Sequence, residues 1–396
     1  MKNERLWTRD FILAMATGFF LSMVTYSLLI TIAVYSMGKY NVPEGLAGFA
    51  ASISLVGGIF GRIFAGKYTD RIGRRRIAII GNALNVLLCA LYFIPMNFFM
   101  FLALRTVHGA VVSWAHNVMA TAVVDIIPSS RRAEGLSFYS LHFTLTTALG
   151  PPLGLFVISK WSYTVFWGVN LCFALIATIV LAFIRFAPVS FTKEQLSQVR
   201  GKGLGGILEK SVIPIAIVSA LLSICYTGVI AFVEIYTSLI GIAWIASPFF
   251  IIYALVIIAS RPVAGRLVDR RGENFVLIPS IILFSISLVV FGLAGEASVI
   301  LPVLMFASAV MMATGFGTIL PIGQAIVIKY SEPLRFSKSL STFFIFSDGG
   351  MGFGALLMGS IASITGFSKM YFIEAAVGLA ALAVYWQLHG KNHRGL

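Results

Sequence analysis

The stretch Gly66-Lys67-Tyr68-Thr69-Asp70-Arg71-Ile72-Gly73-Arg74-Arg75-Arg76 lies between two apolar runs, near 44 to 66 and 77 to 95. Each run is long enough to cross a bilayer, so the cations between them mark a short polar turn at one membrane face. Its glycines permit a tight helix-loop-helix reversal. A carboxylate such as Asp70 can sit at a helix N-terminus, and the arginines can bridge to neighbouring acids. The cluster therefore has the make-up of a latch, since arginines alone would suffice to set topology.

The rest of the chain repeats the flanking pattern. Of its 396 residues 59% are apolar and only 11% charged, where a soluble domain carries about a quarter charged residues. Mean hydropathy is +0.94. Disorder, collagen and a secreted disulfide scaffold are excluded, and lipid is the destination of the excess hydrophobes. Apolar runs near 11 to 36, 44 to 66, 77 to 95, 98 to 125, 134 to 159, 162 to 186, 212 to 238, 240 to 266, 275 to 294, 298 to 328, 336 to 365 and 368 to 389 read as twelve membrane helices. The net charge of +14 is topology rather than a nucleic-acid surface. With the N-terminus in the cytoplasm, that side collects Lys67, Arg74 to Arg76, Arg131, Arg132, Arg266, Arg270, Arg271, Lys329 and Arg335, while the opposite loops hold only Lys39, Lys160 and Lys369. Both termini are therefore expected in the cytoplasm. Cys89, Cys172 and Cys225 lie deep in apolar runs and read as small buried thiols. The first run is too long for a signal peptide and should remain as the first helix.

The longest interruption, Ala187 to Lys210, divides six helices from six. The expected organisation is an N-terminal bundle 1–186, a cytoplasmic linker 187–211 and a C-terminal bundle 212–396. About 200 residues separate three recurring patterns, as expected of a duplicated unit. Gly66, Asp70 and Gly73 recur as Gly265, Asp269 and Gly272, and Arg62 as Arg261. Tyr26-Ser27 recurs as Tyr226-Thr227, and Gly150 and Gly154 recur as Gly350 and Gly354. The last pairs have the small-xxx-small spacing that lets helices approach closely.

The Gly66 to Arg76 turn resembles the G-x-x-x-D-x-x-G-R-[RK] motif of the major facilitator superfamily, and the Gly150 to Gly154 stretch of the fifth run resembles a signature of its drug:proton antiporter branch with twelve helices. The resemblance implies an all-α integral membrane fold of two pseudo-symmetric six-helix bundles. It also implies that Gly66, Asp70, Gly73 and Arg74 form a conformational latch on the cytoplasmic side, with Asp125 the partner of Arg74. Gly265 and Asp269 belong to the second copy, which departs from the pattern by carrying Glu273 and Asn274 in place of Arg74 and Arg75. Arg105 in Arg105-Thr106-Val107-His108-Gly109 resembles the family's R-x-x-x-G motif, which implies that it tunes a nearby proton-binding acid. Gly150-Pro151-Pro152-Leu153-Gly154 is similar to the G-P-x-x-G signature of exporters, although position 146 is Thr146 rather than the usual glycine.

Membrane acids that could load and release protons are few. Asp348 has the best depth, Glu234 lies in the outer half of the seventh run, and Glu374, in the twelfth, reads as structural. His108 and His116 share the Arg105 helix face, with His108 a secondary proton candidate and His116 a cavity residue. Tyr26, Ser27, Tyr226 and Thr227 fall midway along the first helix of each half, where the family lines its cavity, an interhelical hydrogen bond being the alternative. Gly61 to Lys67 has the spacing of a phosphate-binding loop, but Tyr68 follows it and no strand precedes it; Gly201 to Gly206 fits G-x-G-x-x-G without a βαβ unit. The function expected is a proton-coupled antiporter of the plasma membrane, exporting small amphipathic compounds by alternating access. Export of one metabolite or metallophore, or uptake by proton symport, is the alternative; a receptor that does not transport would need no membrane acids. No enzyme activity, cofactor, metal, nucleic acid or obligatory protein partner is expected. The energy source is the proton gradient, the surroundings are lipid, and the chain is expected to be a monomer.

Overall fold

The computed structural model describes residues 5–186, 206–294 and 300–392, and these are mostly helical, with no strand among them. Residues 187–205, which hold most of the expected linker and of the Gly201 to Gly206 pattern, lie outside the described residues. The helices are α1 (Arg9–Tyr40), α2 (Glu44–Ile72), α3 (Arg74–Leu91), α4 (Phe98–Ile126), α5 (Arg132–Tyr139), α6 (Leu141–Lys160) and α7 (Tyr163–Ala182) in the first half. The second half contributes α8 (Ile213–Leu239), α9 (Ala246–Arg271), α10 (Glu273–Leu293), α11 (Leu301–Lys329), α12 (Phe336–Thr365) and α13 (Phe367–Leu388).

Among the described residues, eleven helical segments are long and apolar enough to cross a membrane, α5 and α6 counting as one. The twelfth span is α3, an 18-residue helix whose first three residues are arginines, which lowers its apolar content. Large side chains stand bare on the outer surface, Phe99 80% and Ile364 84% exposed, as suits lipid rather than water. Local signals set the ends. Thr8, Asn97 and Ser162 cap α1, α4 and α7 by accepting from the N–H groups of Phe11, Met100 and Val165. Gly73 (φ 105°) and Gly272 (φ 85°) are single-residue reversals between α2 and α3 and between α9 and α10, in a region that side chains rarely adopt.

The chain forms two compact units. One comprises Met1–Pro128, His142–Glu209 and Glu332–Thr342; the other comprises Ser129–Leu141, Lys210–Ser331 and Phe343–Leu396. In the first, α6 packs on α1 through glycine: a methyl at Gly150 would fall 2.9 Å from the Ser27 nitrogen, and one at Gly154 2.8 Å from the Thr31 methyl. The second unit repeats this contact. A methyl at Gly354 of α12 would fall 2.9 Å from the Ile224 carbonyl of α8, and Gly350 sits against Ala220. The fifth expected span is broken into α5 and α6 at Ser140, whose carbonyl accepts from Arg261 Nη1 at 2.8 Å.

Candidate functional site

In the first unit the reversal at Gly73 turns Arg74 back onto the helix that precedes it. Arg74 Nε donates to Asp70 Oδ1 at 3.1 Å, Nη1 is ion-paired with Asp125, and Nη2 donates to the Pro333 carbonyl at 3.1 Å. The free oxygen of Asp70 accepts the Ser337 backbone N–H at 3.1 Å, so the carboxylate serves the guanidinium and the N-terminus of α12 together. Ser337 Oγ donates to the Ala65 carbonyl at 3.0 Å and to Asn117 Oδ1 at 3.2 Å, and Ser341 Oγ donates to the Arg62 carbonyl. Gly66 is the point of closest approach, since a methyl there would meet the Ser341 Cβ at 2.7 Å.

Glu209, the last residue of this unit before the second half begins, reinforces the same segment. Its N–H donates to Thr342 Oγ1 at 2.9 Å, and its carboxylate lies 3.3 Å from both Arg335 Nη1 and Lys338 Nζ.

The second unit has a corner of the same plan with the charges moved. Asp269 accepts two backbone N–H groups at the start of α5, from Ala133 at 3.0 Å and Glu134 at 2.9 Å. Glu134 collects the cations, binding Arg131 Nε at 2.6 Å, Arg131 Nη2 at 2.8 Å and Arg266 Nε at 2.5 Å. Gly265 stands where Gly66 stands in the first corner, a methyl there meeting Ser137 Oγ at 2.6 Å. Glu273, in the place of Arg74, is held by Lys329 Nζ at 2.7 Å and by the Tyr330 hydroxyl at 2.6 Å. Burial, and then that hydrogen bond to the carboxylate, push the Tyr330 phenol above its ordinary value, which keeps it a donor. Asn274 accepts from the Tyr385 hydroxyl at 2.5 Å and donates to the Gly390 carbonyl at 3.0 Å.

Sequence reasoning missed Ser337, Glu134 and Glu209. One signal could have found the first two: Arg131-Arg132-Ala133-Glu134 with Leu136-Ser137 recurs as Arg335-Phe336-Ser337-Lys338 with Leu340-Ser341.

Deeper in the first unit, Arg105 is buried and hydrogen-bonds to the carbonyls of Ala50 and Ala51, to Ser54 Oγ at 3.1 Å and to the Tyr92 hydroxyl at 3.3 Å. No carboxylate is among these partners. His108 Nδ1 lies 3.0 Å from the Tyr92 hydroxyl and Nε2 lies 2.8 Å from Asn85 Oδ1. Asn85 Oδ1 can only accept, so Nε2 carries a proton. Both ring nitrogens of His108 thus have partners. His116 lies parallel to His142 of α6, ring centroids 6.2 Å apart.

The aromatic-hydroxyl pairs sit differently from one another. Ser27 is buried and donates to Asn170 Oδ1 of α7 at 2.7 Å, and both it and Tyr26 pack against Gly150. Tyr226 stacks on Phe316 at 3.9 Å and on Tyr253 at 6.0 Å, while Thr227 Oγ1 donates to the Ser223 carbonyl. Among the acids, Glu234 is exposed, Asp348 is half-buried beside the buried pair Ser219 and Ser347, and Glu374 is fully buried.

Comparison with known proteins agrees with this architecture. The family model described as Major Facilitator Superfamily matches residues 15–304 and 249–394, and the chain belongs to that family. It is 22% identical over 382 residues to the staphylopine export protein of Staphylococcus aureus, covering 94% of each chain. It is 24% identical over 410 residues to multidrug resistance protein MdtG of Dickeya zeae, covering 98% of this chain and 97% of that one. Among solved structures, the proton:xylose symporter XylE superposes with a TM-score of 0.76 at 16% identity over 96% of this chain and 95% of the other, a likeness of fold alone.

Proposed function

We propose that this chain is a secondary transporter that exports small amphipathic compounds across the plasma membrane in exchange for protons, working as a monomer with both termini in the cytoplasm. The observation that carries the reading is the pair of corners in which Asp70 and Asp269 each cap a helix from the other half of the sequence. Such contacts consist of a few charge-assisted hydrogen bonds, which can be broken and re-formed at modest cost, as alternating access about a central site requires. Export is supported by full-length relatives named for efflux and by Gly150, Pro151 and Gly154, with α6 seated on α1 at those glycines. The stacked Tyr226, Tyr253 and Phe316 offer the aromatic lining that an amphipathic cargo would use.

The test is flux in proteoliposomes with an imposed pH gradient and ethidium as the probe. Ethidium moving against its own gradient, and stopping when a protonophore collapses the pH gradient, is the expected result. Movement only down its gradient, whatever the pH difference, would replace the antiporter by a uniporter. Ethidium left unmoved while one metal-chelating metabolite is exported would favour the dedicated carrier, a reading that the likeness to a staphylopine exporter keeps in view.

A further inference from the structure

We propose that Glu374 is a proton-binding site of this transporter, sealed where α13 packs against Gly228 of α8. The proposal deepens the proton-coupled reading above and rests on it for the link to transport.

Glu374 is 0% exposed, and neither carboxylate oxygen has a hydrogen-bond partner among the described residues. Oε1 is seated directly on Gly228, in the space that any side chain there would occupy, with Met358 of α12 beside it. The titratable groups around it are uncharged types: Cys225, which donates to the Glu374 backbone carbonyl at 3.4 Å, and Tyr371 one turn earlier on α13, which packs on Tyr236 of α8. On the α10 side Phe291 packs against Tyr371 at 4.6 Å. Among the described residues no Lys, Arg or His is ion-paired or hydrogen-bonded to the carboxylate. The matching contact of the first unit, α1 with α7, holds a neutral and satisfied pair, Ser27 donating to Asn170.

An ionised carboxylate without a partner in apolar surroundings is costly, and a protonated one has a hydroxyl with no acceptor. Neither form is satisfied in this arrangement, so any arrangement of α8 and α13 that admits water or a polar partner is favoured through this side chain. Binding of a proton and the choice of arrangement are then linked. The step itself is simple: a carboxylate oxygen takes a proton from water in one arrangement, forming an O–H bond, and returns it to water in another.

The full-length protein in detergent, treated with dicyclohexylcarbodiimide, reports the site without reference to transport, because the reagent adds to protonated carboxyls in apolar places. Peptide mass mapping should find the adduct on Glu374, forming more slowly by about tenfold per pH unit once the group titrates. The label should vanish in Glu374→Gln and persist in Asp348→Asn. Failure to label, or a rate independent of pH, would overturn the site. In proteoliposomes Glu374→Gln should retain ethidium exchange while losing at least about tenfold in pH-driven efflux. Wild-type efflux in a well-folded Glu374→Gln protein would overturn the role in coupling. Should that variant not fold, Glu374→Asp should fold and shift the pH profile of efflux, and an unmoved profile would count against the proposal. If wild-type vesicles show no pH-driven flux at all, the coupled reading falls, while the labelling still decides whether Glu374 exchanges a proton.

Discussion

The corner of the first unit and the corner of the second use one backbone device and two charge plans. In both, a motif aspartate ends the helix before a glycine reversal and accepts N–H groups at the start of a captured helix. The first corner places its guanidinium, Arg74, beside that aspartate. The second places a carboxylate, Glu134, on the captured helix and brings Arg131 and Arg266 to it. The position of Arg74 is taken by Glu273, paired with Lys329. What is duplicated is therefore the cap; the ion pairs around it are reinforcement with interchangeable sign. A motif read through its arginines undervalues the second copy, whose aspartate holds two N–H groups where the first holds one.

The largest effect should come from Asp70→Asn, because it takes the charge from an oxygen pair that serves Arg74 and Ser337 at once. Arg74 keeps Asp125 and the Pro333 carbonyl, so the cost stays below the roughly 3–5 kcal/mol of a buried charge left wholly unpaired, yet about 1.4 kcal/mol suffices to change a population ratio tenfold. Initial rates of ethidium efflux should fall by tenfold or more while membrane insertion is retained; wild-type flux would remove the corner from the transport cycle. Asp269→Asn should act less strongly, by about 1–2 kcal/mol, since it weakens a cap without taking a carboxylate from a buried guanidinium. A loss equal to that of Asp70→Asn would mean that the cap, and not the charge beside it, dominates both corners. Arg266→Ala should be smallest, under about 1 kcal/mol, because its side chain is 53% exposed and Arg131 remains on Glu134. A thermal-stability series on the purified variants would rank the three, and a large shift for Arg266→Ala would break the ordering.

Most of the fold is legible in the sequence because apolar runs of membrane length leave few alternatives, and because Gly73 and Gly272 occupy backbone that only glycine enters easily. The Arg74–Asp70 pair is legible through a motif that names both charge types, and Asp125 through its place at the end of the fourth run, just before Pro128, Arg131 and Arg132. Ser337, Ala133 and the Glu134 backbone are not, since a main-chain N–H has no side-chain signature and its partner lies far away in the chain. Arg105 reads as the neighbour of an acid, yet its partners are carbonyls and hydroxyls, which satisfy a guanidinium without any marker in the sequence. Ser27 reads either as a cavity residue or as one side of an interhelical hydrogen bond, and the structure shows that bond, to Asn170. Glu374 reads as structural from its place on a peripheral helix; only the structure shows its carboxylate buried against Gly228 with no hydrogen-bond partner among the described residues.

The two aspartates act as separate caps, and amide hydrogen exchange measures this directly. In detergent-solubilised wild-type protein the Ser337 amide and the Ala133 and Glu134 amides should both be protected. Asp70→Asn should speed exchange at Ser337 by about tenfold or more and leave Ala133 and Glu134 unchanged, and Asp269→Asn should do the reverse. Ser337 keeping its wild-type protection in Asp70→Asn, in a variant whose efflux is lost, would contradict the cap as the element that governs the cycle.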